Sequence, residues 1–137
     1  MPFYRMLALG LLFAVLTGCS SLFRDMGLDK TSRKAEQTLN AGIQQYEDGD
    51  LPAAQKSIQD AVSLGLSYDA DKVNAHKHLA FIYCASNQEK LCREEFRRTF
   101  DLDPGFKLQA NEIGHPLWGP VYKSVRAELI ARGKIKP

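Results

Sequence analysis

Apolar residues recur every three or four positions from Ser32 to near the C-terminus, and no segment alternates apolar and polar residues as a strand does. This periodicity predicts an all-α fold. We expect a first helix over residues 33–47, which Asp48-Gly49-Asp50 interrupts. A second helix then continues to Gly65, because Asp50 can cap it and Pro52 sits in its first turn, where no backbone N–H is needed.

The next apolar stripes predict a second pair of helices. The third helix begins after Asp69 or Asp71, and the fourth ends where residues 103–105 read Asp-Pro-Gly. Between them lies Asn87, a residue type that tolerates a left-handed turn. The sequence therefore predicts two helical hairpins in succession.

The two hairpins share a spacing of residues. In the first copy the matching positions are Gly42, Tyr46, Gly49, Asp50, Leu51, Ala54, Ile58 and Ala61, and in the second they are Leu79, Ala80, Tyr83, Cys92, Phe96 and residues 101–104. This spacing resembles that of tetratricopeptide repeats, in which a small residue on the first helix packs against small residues on the second. The resemblance places repeats at about 35–68 and 73–106. A generic antiparallel helical bundle is the alternative.

Two repeats leave an apolar face uncovered, so a further element is expected to cover it. Gly119-Pro120 predicts a helix start, because proline is favoured at the first helical position. An apolar stripe follows, and Gly133 ends it. We interpret residues 117–133 as a capping helix and residues 32–137 as one helical domain.

The N-terminus has the pattern of an export signal. Arg5 precedes an apolar stretch over residues 6–16, which is too short to cross a bilayer, and small residues follow. Residues 16–19 read Leu-Thr-Gly-Cys, which resembles the lipobox of bacterial lipoproteins. The resemblance implies a signal peptide at 1–18, cleavage after Gly18 and acylation of Cys19. The alternative is an ordinary secretory peptide with an incidental cysteine.

The lipobox resemblance also implies a location. Ser20 stands where retention in the inner membrane would typically require Asp, so the resemblance points to the periplasmic face of the outer membrane. Residues 19–31 then form the lipidated N-terminus and a tether. Lys and Arg number 18 and Asp and Glu number 16, and this near-neutral balance gives no argument for a nucleic-acid partner.

The remaining two cysteines lie at equal distances from residue 88, the centre of the second hairpin's turn. Residues placed symmetrically about such a turn face one another, so a Cys84–Cys92 disulfide is feasible in an oxidising compartment. Reduced core thiols and a redox-active pair are the alternatives. The second is disfavoured because redox pairs usually have Cys-x-x-Cys spacing at a helix N-terminus.

No other residues form a convincing catalytic or metal site. His76 and His78 lie two apart on a helix and point to different faces, so we interpret them as solvated or packing residues. The adjacent carboxylates Glu94 and Glu95 are expected on the solvated surface. We expect no enzyme activity, no metal, no small-molecule substrate and no cofactor beyond the covalent lipid.

Two regions are candidates for binding a protein. Residues 114–120 form a loop stiffened by proline and glycine that presents His115, Pro116 and Trp118, the only tryptophan. Trp118 either anchors a partner or plugs the open end of the helical array.

The tetratricopeptide resemblance implies the second region, a concave groove lined by the first helix of each repeat. Its residues would be Leu39, Ile43, Tyr46, Asn74, Lys77 and Phe81, which suit a peptide. Alternatively, the N-terminal linker or the C-terminal helix fills this groove.

Three segments together with the lipobox resemble the small tetratricopeptide lipoproteins associated with bacterial type VI secretion systems. The segments are residues 76–84, residues 92–96 and residues 115–121. The resemblance implies an accessory that places or stabilises an envelope-spanning complex. We therefore expect a lipid-anchored adaptor that binds other envelope proteins. The alternatives are a pilotin-like lipoprotein that assists an outer-membrane secretin and, from a different class, an envelope redox protein that uses Cys84 and Cys92.

Overall fold

The computed structural model describes the backbone of residues 19–137 and the side chains of residues 30–137. Its helices are α1 (Cys19–Glu47), α2 (Leu51–Leu64), α3 (Asp69–Ala85), α4 (Glu89–Leu102), α5 (Ala110–Ile113) and α6 (Gly119–Ala131). No strand occurs in residues 19–137, so the predicted all-α class is confirmed. Nor does any helix in this part of the chain combine the length and apolar character that crossing a membrane requires.

Two antiparallel hairpins, α1/α2 and α3/α4, form the body of the fold, as predicted. The first turn is fixed by Asp50, whose carboxylate accepts a hydrogen bond from the backbone N–H of Ala53 at 3.1 Å. Asn87 adopts a φ of 58° in the second turn, in agreement with the prediction. The observed helices differ from the predicted ones in two places: α1 begins at Cys19 instead of near residue 33, and α5 was not predicted.

The α1/α2 hairpin is packed through a glycine. Gly42 lies so close to α2 that a Cβ atom there would be 2.6 Å from Cγ1 of Ile58 and 3.1 Å from its backbone nitrogen. Ala54, Ile58 and Ala61 are buried on the opposing face of α2. The small residue at position 42 therefore sets the distance between the two helices.

Helix α6 covers the second hairpin, as expected for a capping helix. Tyr122 contacts two aromatic rings of α4, with ring centroids 5.6 Å from Phe96 and 5.6 Å from Phe100. Its hydroxyl donates to the carbonyl of Phe106 at 3.2 Å. At the edge of the interface, Glu128 accepts hydrogen bonds from arginines of α4 at positions 93 and 97. Aromatic packing thus holds α6 against α4, and an ion-pair cluster supports it.

Candidate protein-binding groove

The predicted groove lies between α1 and α3, where aromatic rings join the two helices. The ring of Tyr46 is 5.3 Å from that of His78 in an edge-on arrangement and 6.3 Å from that of Phe81. Burial lowers the pKa of the His78 imidazole, and its Nδ1–H donates to the carbonyl of Asn74 at 2.8 Å. Burial likewise raises the pKa of Tyr46, to which the charge of Glu112 adds. This part of the groove has an apolar floor formed from both helices.

Of the six residues predicted to line the groove, two are buried, three are partly exposed, and the sixth, Lys77, pairs with Glu112. Leu39 and Phe81 are buried in the main core, which corrects the prediction that they form part of an open binding surface. Ile43, Tyr46 and Asn74 are partly exposed. These three form the part of the groove that solvent reaches, and we call them the open groove. Their role in binding stays a prediction.

Helix α5 closes the other end of the groove by an ion pair to Lys77. The ammonium of Lys77 donates to Glu112 at 2.7 Å, and the two side chains are only 13% and 16% exposed. The same ammonium lies 5.6 Å from the centre of the Phe81 ring. A reciprocal pair of hydrogen bonds between Gln109 and Glu112 fixes the start of α5. The chain's own α5 therefore occupies the groove at Lys77.

The charge of Glu112 is stabilised by this arrangement. Burial raises the pKa of the carboxyl, but the hydrogen bonds from Lys77 and from the backbone N–H of Gln109, together with the Lys77 charge, outweigh burial and leave the pKa below its ordinary value. Glu112 was not identified from the sequence. Glu112 has the position of the acidic residue in a capping box, but Gln109 stands where that pattern has Ser or Thr, so the sequence signal is weak.

Trp118 completes the closure by packing inward. Its indole stacks on Phe81 at 4.3 Å and on His115 at 3.3 Å between ring centroids, and its Nε1–H donates to the backbone carbonyl of Glu112 at 3.0 Å. The side chain is only 8% exposed. Of the two predicted roles, this geometry matches the plug and corrects the prediction of an exposed anchor.

The remaining residues of the loop face outward. Pro116 is exposed and His115 is partly exposed, so they stay candidates for partner contact. Leu117, which was not identified from the sequence, is 47% exposed. It lines a small cleft beside the second hairpin's turn, together with Pro116 and Val121.

The prediction that both adjacent carboxylates are solvated is wrong for Glu95. This side chain is 5% exposed. It accepts hydrogen bonds from Nδ1 of His76 at 2.6 Å and from Arg98 at 3.1 Å. Two donors therefore compensate for the removal of the carboxylate from water. Glu94, on the adjacent face of the helix, is partly exposed.

A disulfide links the two helices of the second hairpin beside its turn. Cys84 and Cys92 form a disulfide with their Cα atoms 5.2 Å apart, and both residues are buried. The pairing agrees with the structural role favoured by the sequence. In the part of the chain whose side chains are described, no group of three or more His, Cys, Asp or Glu residues is arranged to hold a metal ion.

The predicted anchor lies outside this description. The signal peptide over residues 1–18, and the side chains of Cys19 and Ser20, are not among the described residues. Comparisons of the chain with protein-family models, with curated proteins and with solved structures found no match.

Proposed function

We propose that the chain is a lipid-anchored adaptor on the periplasmic face of the outer membrane, where it binds another envelope protein as an accessory of a type VI secretion system. The membrane position rests on the lipobox-like sequence that ends at Cys19. The secretion system rests on the sequence resemblance. The structural observation that carries the binding role is the open groove, whose partly exposed residues lie beside a closure built by the chain itself.

The contacts at the closed end illustrate what the open end can bind. There an aromatic ring stacks on Phe81 and a carboxylate pairs with Lys77. The open groove offers a similar floor with Tyr46 and Ile43, and the amide of Asn74 can hydrogen-bond a backbone. We therefore propose that the partner contributes a short segment with one aromatic or large apolar side chain.

Two features support rigid recognition by this groove. The disulfide joins the end of α3 to the start of α4, and Trp118 fixes α5 against α3. A groove that is already ordered loses less conformational entropy on binding, so more of the contact energy contributes to affinity. The chain would then act as a fixed adaptor that brings its partner to the membrane surface.

Photo-crosslinking in intact cells tests the groove. We expect a photoreactive amino acid at position 43 or 74 to capture one envelope protein. The matched control is position 41, which is exposed on the same helix as position 43 but points roughly to the opposite face. Equal capture from positions 41 and 43, or none from 43 and 74, would contradict the groove. Capture of a secretin would favour the pilotin-like alternative over a type VI component.

Fractionation of a Cys19→Ala variant tests the anchor independently. We expect the variant to leave the membrane fraction, because the proposed attachment depends on the acyl chains on Cys19. Its helical circular dichroism should stay the same. Mass spectrometry of the wild-type N-terminus should show acyl groups on Cys19. Membrane retention of the variant, or an unmodified wild-type residue, would refute the anchor.

A further inference from the structure

A second cleft lies on the other side of α5, between α6 and the segment that leads into α5. Its volume is about 330 Å³, which is at the small end of the range for ligand sites. Leu108, Ile113, Tyr122 and Ile130 supply its apolar lining. Glu112 points to the groove, whereas the next residue, Ile113, lines this cleft. The two sites are therefore separate surfaces with a common wall.

Three cations surround the cleft: Lys107, Lys123 and Arg126. No carboxylate in residues 30–137 forms an ion pair with any of them. This sets them apart from Arg93, Arg97 and Lys77, which all pair with glutamates. Lys123 and Arg126 are three apart on α6 and so lie on one face of it.

We infer that this cleft binds an acidic segment of another protein, with one apolar side chain inserted between α5 and α6. The charge complementarity is direct, because three cations with no ion pair among residues 30–137 attract carboxylates and accelerate the encounter. The apolar floor includes Tyr122 and Leu108, which are buried. A protruding side chain can reach such a recessed floor, whereas a flat membrane surface cannot. The inference does not depend on the groove or on acylation of Cys19.

The exposed part of the cleft provides matched variants. Lys123→Glu/Arg126→Glu reverses two charges at the cleft, and Lys90→Glu/Lys136→Glu reverses two exposed charges outside the cleft lining. For the apolar component, Ile113→Ser is matched by Leu91→Ser, since both side chains are 36% exposed. Fluorescence of the single tryptophan, which packs beside α5, reports whether each variant keeps the native arrangement.

The probe is a random peptide library displayed on phage and selected on the full chain purified in detergent. We expect the enriched peptides to combine Asp or Glu with a large apolar residue. In fluorescence anisotropy, their affinity should fall at least about tenfold for Lys123→Glu/Arg126→Glu. It should fall about threefold or more for Ile113→Ser, and stay the same for both controls. Binding should also weaken as salt rises, because Lys107 and Lys123 are exposed and Arg126 is partly exposed.

Each other outcome overturns the inference. The inference is overturned if no peptide is enriched or if the enriched peptides carry no excess negative charge. It is also overturned if those peptides bind Lys123→Glu/Arg126→Glu as tightly as they bind the wild type. If the chain bound vesicles of anionic phospholipid but no peptide, and Lys123→Glu/Arg126→Glu abolished the vesicle binding, the cations would be assigned to a membrane surface. A dimer in sedimentation equilibrium that the same variant dissociates would assign the cleft to a second copy of the chain.

Discussion

Replacing Gly42 by alanine tests the closest contact between α1 and α2. Two effects of opposite sign compete in this variant. Alanine has the higher helix propensity, which favours the variant by about 1 kcal/mol in an open helix. Against this, the new methyl group would lie 2.6 Å from Cγ1 of Ile58 and 3.1 Å from the backbone nitrogen of the same residue.

The contact should outweigh propensity. Ile58 is completely buried, and its Cγ1 is next to a branched Cβ, so it cannot move away as the end of a flexible chain could. Overpacking of this kind costs about 1–3 kcal/mol, and the proximity of the backbone places this contact in the upper half of that range. After subtraction of the propensity gain, Gly42→Ala should lower the free energy of unfolding by about 1–2 kcal/mol.

Urea unfolding followed by circular dichroism measures this difference. Ala41→Gly, at an exposed position of the same helix, calibrates the propensity within this chain. In an Ile58→Ala background, which removes Cγ1, most of the penalty should disappear, and the double-mutant cycle isolates the contact. If Gly42→Ala is as stable as the wild type or more stable, propensity alone governs the position and the close packing of α1 on α2 is refuted.

Three further predictions concern the second half of the chain. Gly119→Ala should lower the free energy of unfolding by about 2 kcal/mol or more, because its Cβ would lie 2.6 Å from the carbonyl oxygen of Ile113. The control is Gly114→Ala, where a Cβ meets nothing within 4 Å, and urea unfolding should show it to be nearly neutral. Because the pKa of Glu112 is lowered in the folded state, its charge stabilises the fold above the ordinary carboxyl pKa, and this stabilisation is lost as pH falls through the folded-state pKa. Glu112→Gln should therefore flatten the acid side of the stability–pH profile, and an unchanged slope would contradict this. Removing the disulfide by Cys84→Ser/Cys92→Ser should cost about 2–3 kcal/mol in urea unfolding without loss of helix, as expected for closure of a short loop, whereas a loss of envelope thiol-oxidation activity at full stability would indicate redox function.

The hairpins were predictable because their determinants are local. Helical periodicity, Asp50 at a cap and Asn87 in a left-handed turn act within a few residues of the chain. The Cys84–Cys92 pairing also follows from symmetry about one turn. The tetratricopeptide resemblance implied that Gly42, as a small residue on the first helix, packs against the second helix, and the contact with Ile58 agrees with this.

Contacts between distant segments were not predictable in the same way. Glu95 was assigned to the surface together with Glu94, because adjacent carboxylates on a helix point in different directions and do not form a paired site. The sequence does not show that His76 and Arg98 both reach it. Likewise, α5 has only four residues and too short a periodic pattern to be detected. Its position depends on the ion pair between Glu112 and Lys77, which lie 35 residues apart.

The division of the groove into open and closed parts follows from the connection between α4 and α6. Residues 103–118 are long enough to reach from α4 to the face of α3, since an extended chain spans about 3.3 Å per residue. There the indole of Trp118 is buried against the ring of Phe81, which removes a large apolar area from water. Its Nε1–H donates a hydrogen bond to the backbone carbonyl of Glu112. From the sequence alone, Trp118 fits the role of a partner anchor equally well, because both roles require a large aromatic residue with a polar edge. The path of the connection distinguishes the two roles, and this path leaves Ile43, Tyr46 and Asn74 partly exposed to solvent.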